Sequence, residues 1–539
     1  MLCLQKFEQR FIKQIGRFEV RNVADAGQKH QFTLRNRVAH ACASSSTSEI
    51  ATDHTTSIRK LAADGADDTN SGHPANLRPI NPRPVAGMII SRAGARNMKR
   101  KTLERLPEPE TKIEEIPRWS ALLRTAFRFS FLYFGLFCLA TQISGSLFLI
   151  PTGSFRGFGP LWPMRPITIW IAEHFFGATQ PLVYGRYSGE TLFFWIQTLW
   201  LVILAVIATA TWSVLDRRRE NYATLHKWFH LFIRFALAAS IFEYGMTKVI
   251  PTQFPRPPLN TLVTPVGNLS LSALLWTTIG SSPVYEIFTG CAELLGGILL
   301  IIPRTTTLGA LICLADMTQV FVLNMTYDVA VKQISFHLIL LSLFLLAPEF
   351  PRLANFFVLN RPAAPSAQPQ LFSSARANRI ALAAQMIFGV YLVGTYAYIN
   401  WTYWYAAGDG RPRSPLYGIW TVNQLSIDGQ AGPPVLNDYD RRWRRVIFDL
   451  PDAIAFQRLD DSFARYGASV DVYKNTVALT KGNSKKWKAD FTFHRPAEDQ
   501  LVLDGDMDGH KIHAELQLAD FDTFRLLNSR FRWVRPEEP

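Results

Sequence analysis

The sequence predicts a mostly α-helical polytopic membrane bundle of about seven spans, followed by a small antiparallel β-domain that closes as a barrel or packs as a sandwich. Three observations predict it. Long apolar runs fill the middle of the 539-residue chain. Short clusters of Lys and Arg flank those runs. After Arg411 the pattern changes to short alternating segments separated by turn residues.

A membrane-spanning helix needs about twenty mostly apolar residues. Seven stretches qualify: 129–149, 191–215, 229–250, 284–302, 306–324, 331–347 and 380–400. The sixth is short in apolar length and includes polar residues at its start. Inside lipid the backbone must bond to itself, so these stretches are expected to be helices. Within the long 151–190 loop, PITIWIAEHFFG is expected to lie flat at the membrane surface. Trp401, Tyr403, Trp404 and Tyr405 form the aromatic belt expected where the last span ends.

Basic residues set the orientation. Arg118, Arg124 and Arg128 precede the first span, and Arg217, Arg218, Arg219 and Lys227 lie between the second and third. Arg304 follows the fourth, and Arg352, Arg361, Arg376 and Arg379 precede the seventh. All fall on one side if every span crosses once, and that side is expected to be cytoplasmic. The opposite loops hold fewer: Arg156, Arg165, Arg186, Arg256 and Lys332. The N-terminus is then cytoplasmic and the β-domain outside, in a bacterial inner membrane.

The formal charge of +14 is compatible with nucleic-acid binding. No motif of that class accompanies it, and the positive-inside bias accounts for it. The five cysteines include no C-x-x-C pair, which argues against a zinc site or a disulfide framework. A Cys291/Cys313 redox pair stays open. The 1–117 region is polar and basic, and much of it has the composition of disordered chain. Its 6–21 stretch, with Phe7, Phe11, Ile15 and Phe18 roughly on one face, could rest on a membrane, and Met98 is a candidate start. It lacks the apolar core of a signal peptide.

In the β-domain, 411–539, nine segments alternate: 417–428, 444–451, 453–460, 468–474, 476–481, 488–496, 500–507, 510–519 and 531–534. Asp504, Asp506, Asp508, Gly509 and Glu515 fit a calcium-loop pattern, but that loop needs a helix on each side. Here both flanks alternate with period two, and Asp508-Gly509 is a hairpin dipeptide. Folding there pairs Met507 with His510 and Asp506 with Lys511. The Gly418-Ile419-Trp420 opening, with Arg530 and Arg532 near the end, resembles the lipocalin-type signature. That resemblance implies that Trp420 closes one end of a barrel under a stacked arginine, a structural role.

Ionisable residues at membrane depth are costly and usually face the bundle interior. The third span holds Arg234, Glu243 and Lys248; the fourth Glu286 and Glu293; the fifth Asp316 and Gln319; the sixth Gln333 and His337. Glu286 and Glu293 are seven apart and share a face, as do Asp316 and Gln319. One reading is a polar pocket opening outward. The other is structural: lysines snorkel and acid–base pairs fix helix packing.

These residues resemble the DoxX-like family of small four-helix membrane proteins over about 221–348. The resemblance rests on FIRFALAASIFEYGMTKV, with Arg234, Gly245 and Lys248, and on AELLGGILLIIPRTTTLGALICLADMTQ, with Glu293, Gly296, Gly297 and Arg304. It continues in NMTYDVAVKQISFHLILLSLFLLAPE. Two extra helices (118–220), a cytoplasmic loop (349–379), a last helix (380–405) and the β-domain surround that core. Relatives have been linked to thiosulfate:quinone oxidoreductase and to complexes handling thiol or oxidative stress. The resemblance therefore implies an accessory or catalytic component of a quinone- or thiol-linked redox system. Glu243, Glu293, Asp316 and His337 would handle protons near a quinone-sized pocket, and Lys248 would hold an anionic group. No catalytic motif carries over residue by residue. Two alternatives remain: a non-enzymatic small-solute transport or binding protein, and a scaffold whose outer β-domain docks a membrane or periplasmic partner.

Overall fold

The computed structural model describes residues 118–149, 155, 157–179, 182, 184, 191–365, 370–431, 442–482, 484, 487–528 and 533–534. The 6–21 stretch, Met98, Arg156, Arg186, Arg530 and Arg532 lie outside the described residues.

Helix α1 (Ala121–Ala140) is capped by Ser120, whose hydroxyl accepts from the Leu123 amide at 3.2 Å. It breaks at Thr141, and a short α2 (Gln142–Leu147) completes the first expected span. Helix α3 (Met164–Phe176) carries exposed Ile167, Trp170, Phe175 and Phe176 while burying Thr168 and Ala172. That one-sided pattern suits a helix lying along a membrane surface. Next come α4 (Leu192–Leu215), α5 (Ala223–Val249), the single turn α6 (Leu259–Leu262) and α7 (Leu271–Gly280). The remaining helices of the bundle are α8 (Pro283–Ile301), α9 (Thr306–Thr326), α10 (Lys332–Leu346), α11 (Phe350–Phe357) and α12 (Ala375–Ala406).

Among the described residues six helices are long and apolar enough to cross a membrane: α1, α4, α8, α9, α10 with its continuation into α11, and α12. The chain is thus a multi-pass membrane protein. The third expected span, α5, is the exception by composition, because Arg234, Glu243 and Lys248 interrupt it. Its 27 residues nevertheless run the length of the bundle. At one end Lys227 donates to the carbonyls of Gln370 and Leu371, just before α12. At the other, Thr252 donates to Asn400 near the end of α12. The charges of α5 are tolerated because it is the central helix, with Ile233, Leu237, Ile241 and Phe242 fully buried among its neighbours.

The basic clusters gather at one end. Arg118 pairs with Glu220 at 3.0 Å, and the buried Arg128 donates to the Tyr222 hydroxyl and to the Asp216 carbonyl, each at 2.9 Å or closer. The β-domain sits at the opposite end.

Its strands are β1 (Gly418–Ile427), β2 (Gln430–Ala431), β3 (Trp443–Phe448), β4 (Ala453–Arg458) and β5 (Phe463–Asp471). They continue as β6 (Thr476–Thr480), β7 (Ala489–His494), β8 (Gln500–Met507) and β9 (His510–Leu518). Neighbours pair antiparallel in the order β2-β1-β3-β4-β5-β6-β7-β8-β9, and β9 returns to β1. Eight strands therefore close a barrel, with β2 a short flap on β1. Closure removes the exposed edges an open sheet would leave. The lumen is filled by Trp420, Phe448, Phe456, Phe491, Leu501 and Leu516, all buried.

Met507 pairs with His510 and Asp506 with Lys511, as the Asp508-Gly509 dipeptide predicts. Both turn residues have positive φ, 58° and 88°, the geometry of a type I′ turn. Eight of the nine expected strands are present. The ninth, 531–534, is not seen as a strand: Trp533 and Val534 are exposed outside the sheet, and the rest lies outside the described residues. Trp420 donates to the Leu416 carbonyl at 3.0 Å, and the cation over its ring is Arg495, 5.7 Å from the centroid. Arg495 belongs to the turn between β7 and β8; Arg530 and Arg532, the arginines expected over this ring, lie outside the described residues.

Candidate functional site

Three glycines let α8 come against α5 and α9 at backbone distance. A Cβ on Gly290 would sit 2.7 Å from Lys248 Cβ and 2.8 Å from the Gly245 carbonyl oxygen. A Cβ on Gly297 would meet the Phe242 ring at 2.6 Å, and one on Gly296 the Cys313 sulfur at 2.9 Å. Small residues at such contacts are how membrane helices approach closely. The approach places the polar groups of α5 and α8 face to face.

Lys248 Nζ donates to both oxygens of Glu293 at 2.8 Å. The side chains are 8% and 4% exposed, so this is a buried ion pair. Lys248, expected to hold an external anion, is already held by Glu293. Glu286, one helical repeat before Glu293, is fully buried and accepts from the Phe254 amide at 3.0 Å through Oε1. Among the described residues its Oε2 has no donor, and neither does the buried Oδ2 of Asp316. Asp316 lies within electrostatic reach of both Glu293 and Lys248, and Glu286 within reach of Lys248. One ammonium and three carboxyls thus gather toward the barrel end of the bundle.

The other expected site residues fall elsewhere. Arg234 donates to the Gln385 carbonyl oxygen on α12 and packs over Phe235 at 5.2 Å. Its Nε is buried without an acceptor among the described residues. Glu243 accepts from Ser146 on α2, whose carbonyl in turn accepts from Tyr396 at 3.3 Å. His337 stands against α1: its ring stacks on Phe137 at 3.6 Å, and its Nε2 lies 2.6 Å from the Tyr133 hydroxyl. His337 Nδ1 faces the Gln333 carbonyl at 2.7 Å and must donate there, so in the neutral ring Nε2 accepts from Tyr133. Gln319, expected beside Asp316, is exposed on the outer surface of the bundle instead. Three residues on from Asp316, it has rotated about 300° around α9, enough to leave the α8 face. Cys291 is exposed and Cys313 is buried against Gly296, so the two thiols do not form a pair.

Above the cluster the barrel is docked on the bundle. Leu259 of α6 packs with Ile419 of β1 and Ile447 of β3, all buried. Asp449 accepts from the Leu259 amide at 3.2 Å, and Gln457 donates to the Val263 carbonyl at 3.1 Å. A cavity of about 790 Å³ opens along this seam, bounded by Val249, Ile250, Trp401, Trp404, Arg411 and Tyr417 among others.

No family model matches the chain, and no solved structure matches it. The uncharacterized protein YwoB of Bacillus subtilis (strain 168) is 36% identical to it over 116 residues, which cover 21% of this chain and 71% of the relative. The chain belongs to the YwoB family.

In this YwoB-family chain the sequence pattern placed the right residue types inside the bundle but joined them into one pocket, where the structure makes four groups. Gln385, Ser146 and Tyr133 went unnoticed as partners. Gln385 had a signal, being a lone amide inside an apolar run of α12. Tyr133, one aromatic among several in α1, had none.

Proposed function

We propose that this chain is a DoxX-like component of a quinone- or thiol-linked redox system in a bacterial inner membrane, exchanging protons through the Lys248, Glu293, Asp316 and Glu286 cluster. The charge count at that site carries the reading. One lysine faces three carboxyls, and two of those carboxyls keep a buried oxygen without a donor among the described residues. Buried charge is costly unless paired, so a neutral cluster holds two protons or two further positive charges. A site that must hold protons can also pass them on, and quinone and thiol oxidation both release protons with their electrons. The barrel end of the bundle, where the cluster lies, faces outward under the positive-inside rule.

The intact protein, purified in mild detergent, is expected to retain extractable quinone or a redox partner. Its infrared difference spectrum is expected to contain a protonated-carboxyl band that titrates and shrinks in Glu286→Gln and Asp316→Asn. Absence of both quinone and partner ends the redox assignment; absence of the band ends the proton assignment. Reporter fusions after Arg219 and after Arg411 should report opposite compartments. The same compartment for both overturns the orientation.

A further inference from the structure

We propose that the seam cavity between bundle and barrel binds an amphiphile with a singly charged phosphodiester head. This goes beyond the proton reading and does not depend on it.

The cavity has two kinds of wall. Its membrane side is apolar, formed where α5 ends in Val249 and Ile250. Trp401 and Trp404 stand beside it, at the depth where aromatic side chains mark the headgroup layer. Its barrel side is cationic, with Arg256, Arg411 and Arg413 contributing guanidinium groups. Apolar chains can therefore extend toward the bilayer while a charged head meets the arginines.

The charge count selects a monoanion. Arg256 reaches Asp409 at 3.5 Å, and Arg411 reaches Asp449 at 3.3 Å. Both pairs are longer than a close charge-assisted hydrogen bond, about 2.7–2.9 Å. Each guanidinium carries five N–H donors, so these contacts leave donors unspent. Among the described residues Arg413 has no carboxylate partner; it lies 4.6 Å over the Tyr417 ring. Three guanidiniums against two carboxylates leave one positive charge at the cavity. Guanidinium groups recognise phosphate oxygens through paired N–H donors, and a phosphodiester offers two such oxygens on one negative charge. A volume of about 790 Å³ accommodates the head and the first part of its chains.

The test uses the full chain, delipidated in mild detergent. It is titrated with short-chain phosphatidylglycerol, and adducts are counted by native mass spectrometry while tryptophan fluorescence is followed. Wild type is expected to bind it in preference to the zwitterionic phosphatidylcholine counterpart. Arg413→Gln should weaken phosphatidylglycerol binding about tenfold, the scale of one lost hydrogen bond to a charged group. Arg376→Gln, on exposed chain at the start of α12, should leave it unchanged. Equal binding of both lipids overturns the proposal, as does an Arg413→Gln variant that binds like wild type or an Arg376→Gln variant equally weakened. Soluble glycerophosphoglycerol distinguishes the source. Failure to compete supports a membrane lipid, and full competition at equal concentration overturns the amphiphile assignment.

Discussion

The bundle and the barrel bury opposite things. In the barrel, β7 alternates buried Ala489, Phe491 and Phe493 with exposed residues between them, and its ion pairs lie at or near the surface. In the bundle, Leu199, Ile203, Phe288 and Val390 face outward while Lys248, Glu293 and Glu286 are inside. The difference is one of solvent. Water rewards exposed charge, whereas lipid offers charge no partner, so the bundle turns its ions toward each other. An ion pair in the two regions should therefore respond very differently to the same kind of substitution.

The largest expected effect is in the bundle. Glu293→Leu leaves Lys248 buried without its counter-ion and should cost about 3–5 kcal/mol, measured as lost thermal stability in detergent or lost inserted protein. Glu293→Gln should cost less, because an amide can still accept from Lys248. A Lys248→Met/Glu293→Leu double variant should recover much of the loss. If Glu293→Leu is as stable as wild type, the pair does not matter energetically and the contrast with the barrel fails.

A smaller effect is expected where the helices meet. Gly290→Ala should cost about 1–3 kcal/mol, since its Cβ would press on the backbone of α5. Gly394→Ala on α12, with nothing within 4 Å of its Cβ, should be neutral or slightly stabilising. Melting curves of the two variants give the comparison directly.

In the barrel the ionic effects should be small. His513 is hydrogen-bonded to Asp504 at 2.6 Å, and that bond raises its affinity for a proton above the ordinary value of 6.5. The stabilisation is therefore fully present below that ordinary value and is lost as pH rises through the raised one. Solvent screening limits it to roughly a few tenths of a kcal/mol. Amide exchange in β8 and β9 should quicken slightly across that window in wild type and not in Asp504→Asn. The smallest expected effect is none: calcium should leave the melting temperature unchanged, because Asp504 to Glu515 forms a hairpin.

Most of the architecture was legible in the sequence because each solvent imposes its own period. Runs of twenty apolar residues mark helices in lipid, and alternation marks strands with one face buried. Even α5 was recognisable as a helix, although Arg234, Glu243 and Lys248 leave it less apolar than the six helices able to cross a membrane. The site was less legible. Helical periodicity says which residues share a face, but not which neighbouring helix meets that face. Hence Arg234 went to Gln385, Glu243 to Ser146 and His337 to Tyr133, while Glu293, with its following glycines, met Lys248. The docking of the barrel did leave a trace. Ile419 beside Trp420, and Val446-Ile447-Phe448, break the alternation of β1 and β3 with consecutive buried residues.

That break has a consequence for how the molecule is made. Ile419 and Ile447 face out of the barrel, and the Leu259 turn, synthesised some 160 residues before Ile419, packs on them beside Tyr417, Phe521 and Phe524. A barrel that has closed but not yet settled on the bundle carries an adhesive spot beside its first strand. Assembly is finished only when that spot disappears, so protection of Ile419 and Ile447 from surface labelling marks a completed molecule, and a chain stalled before that step is the form that quality-control proteases would find first.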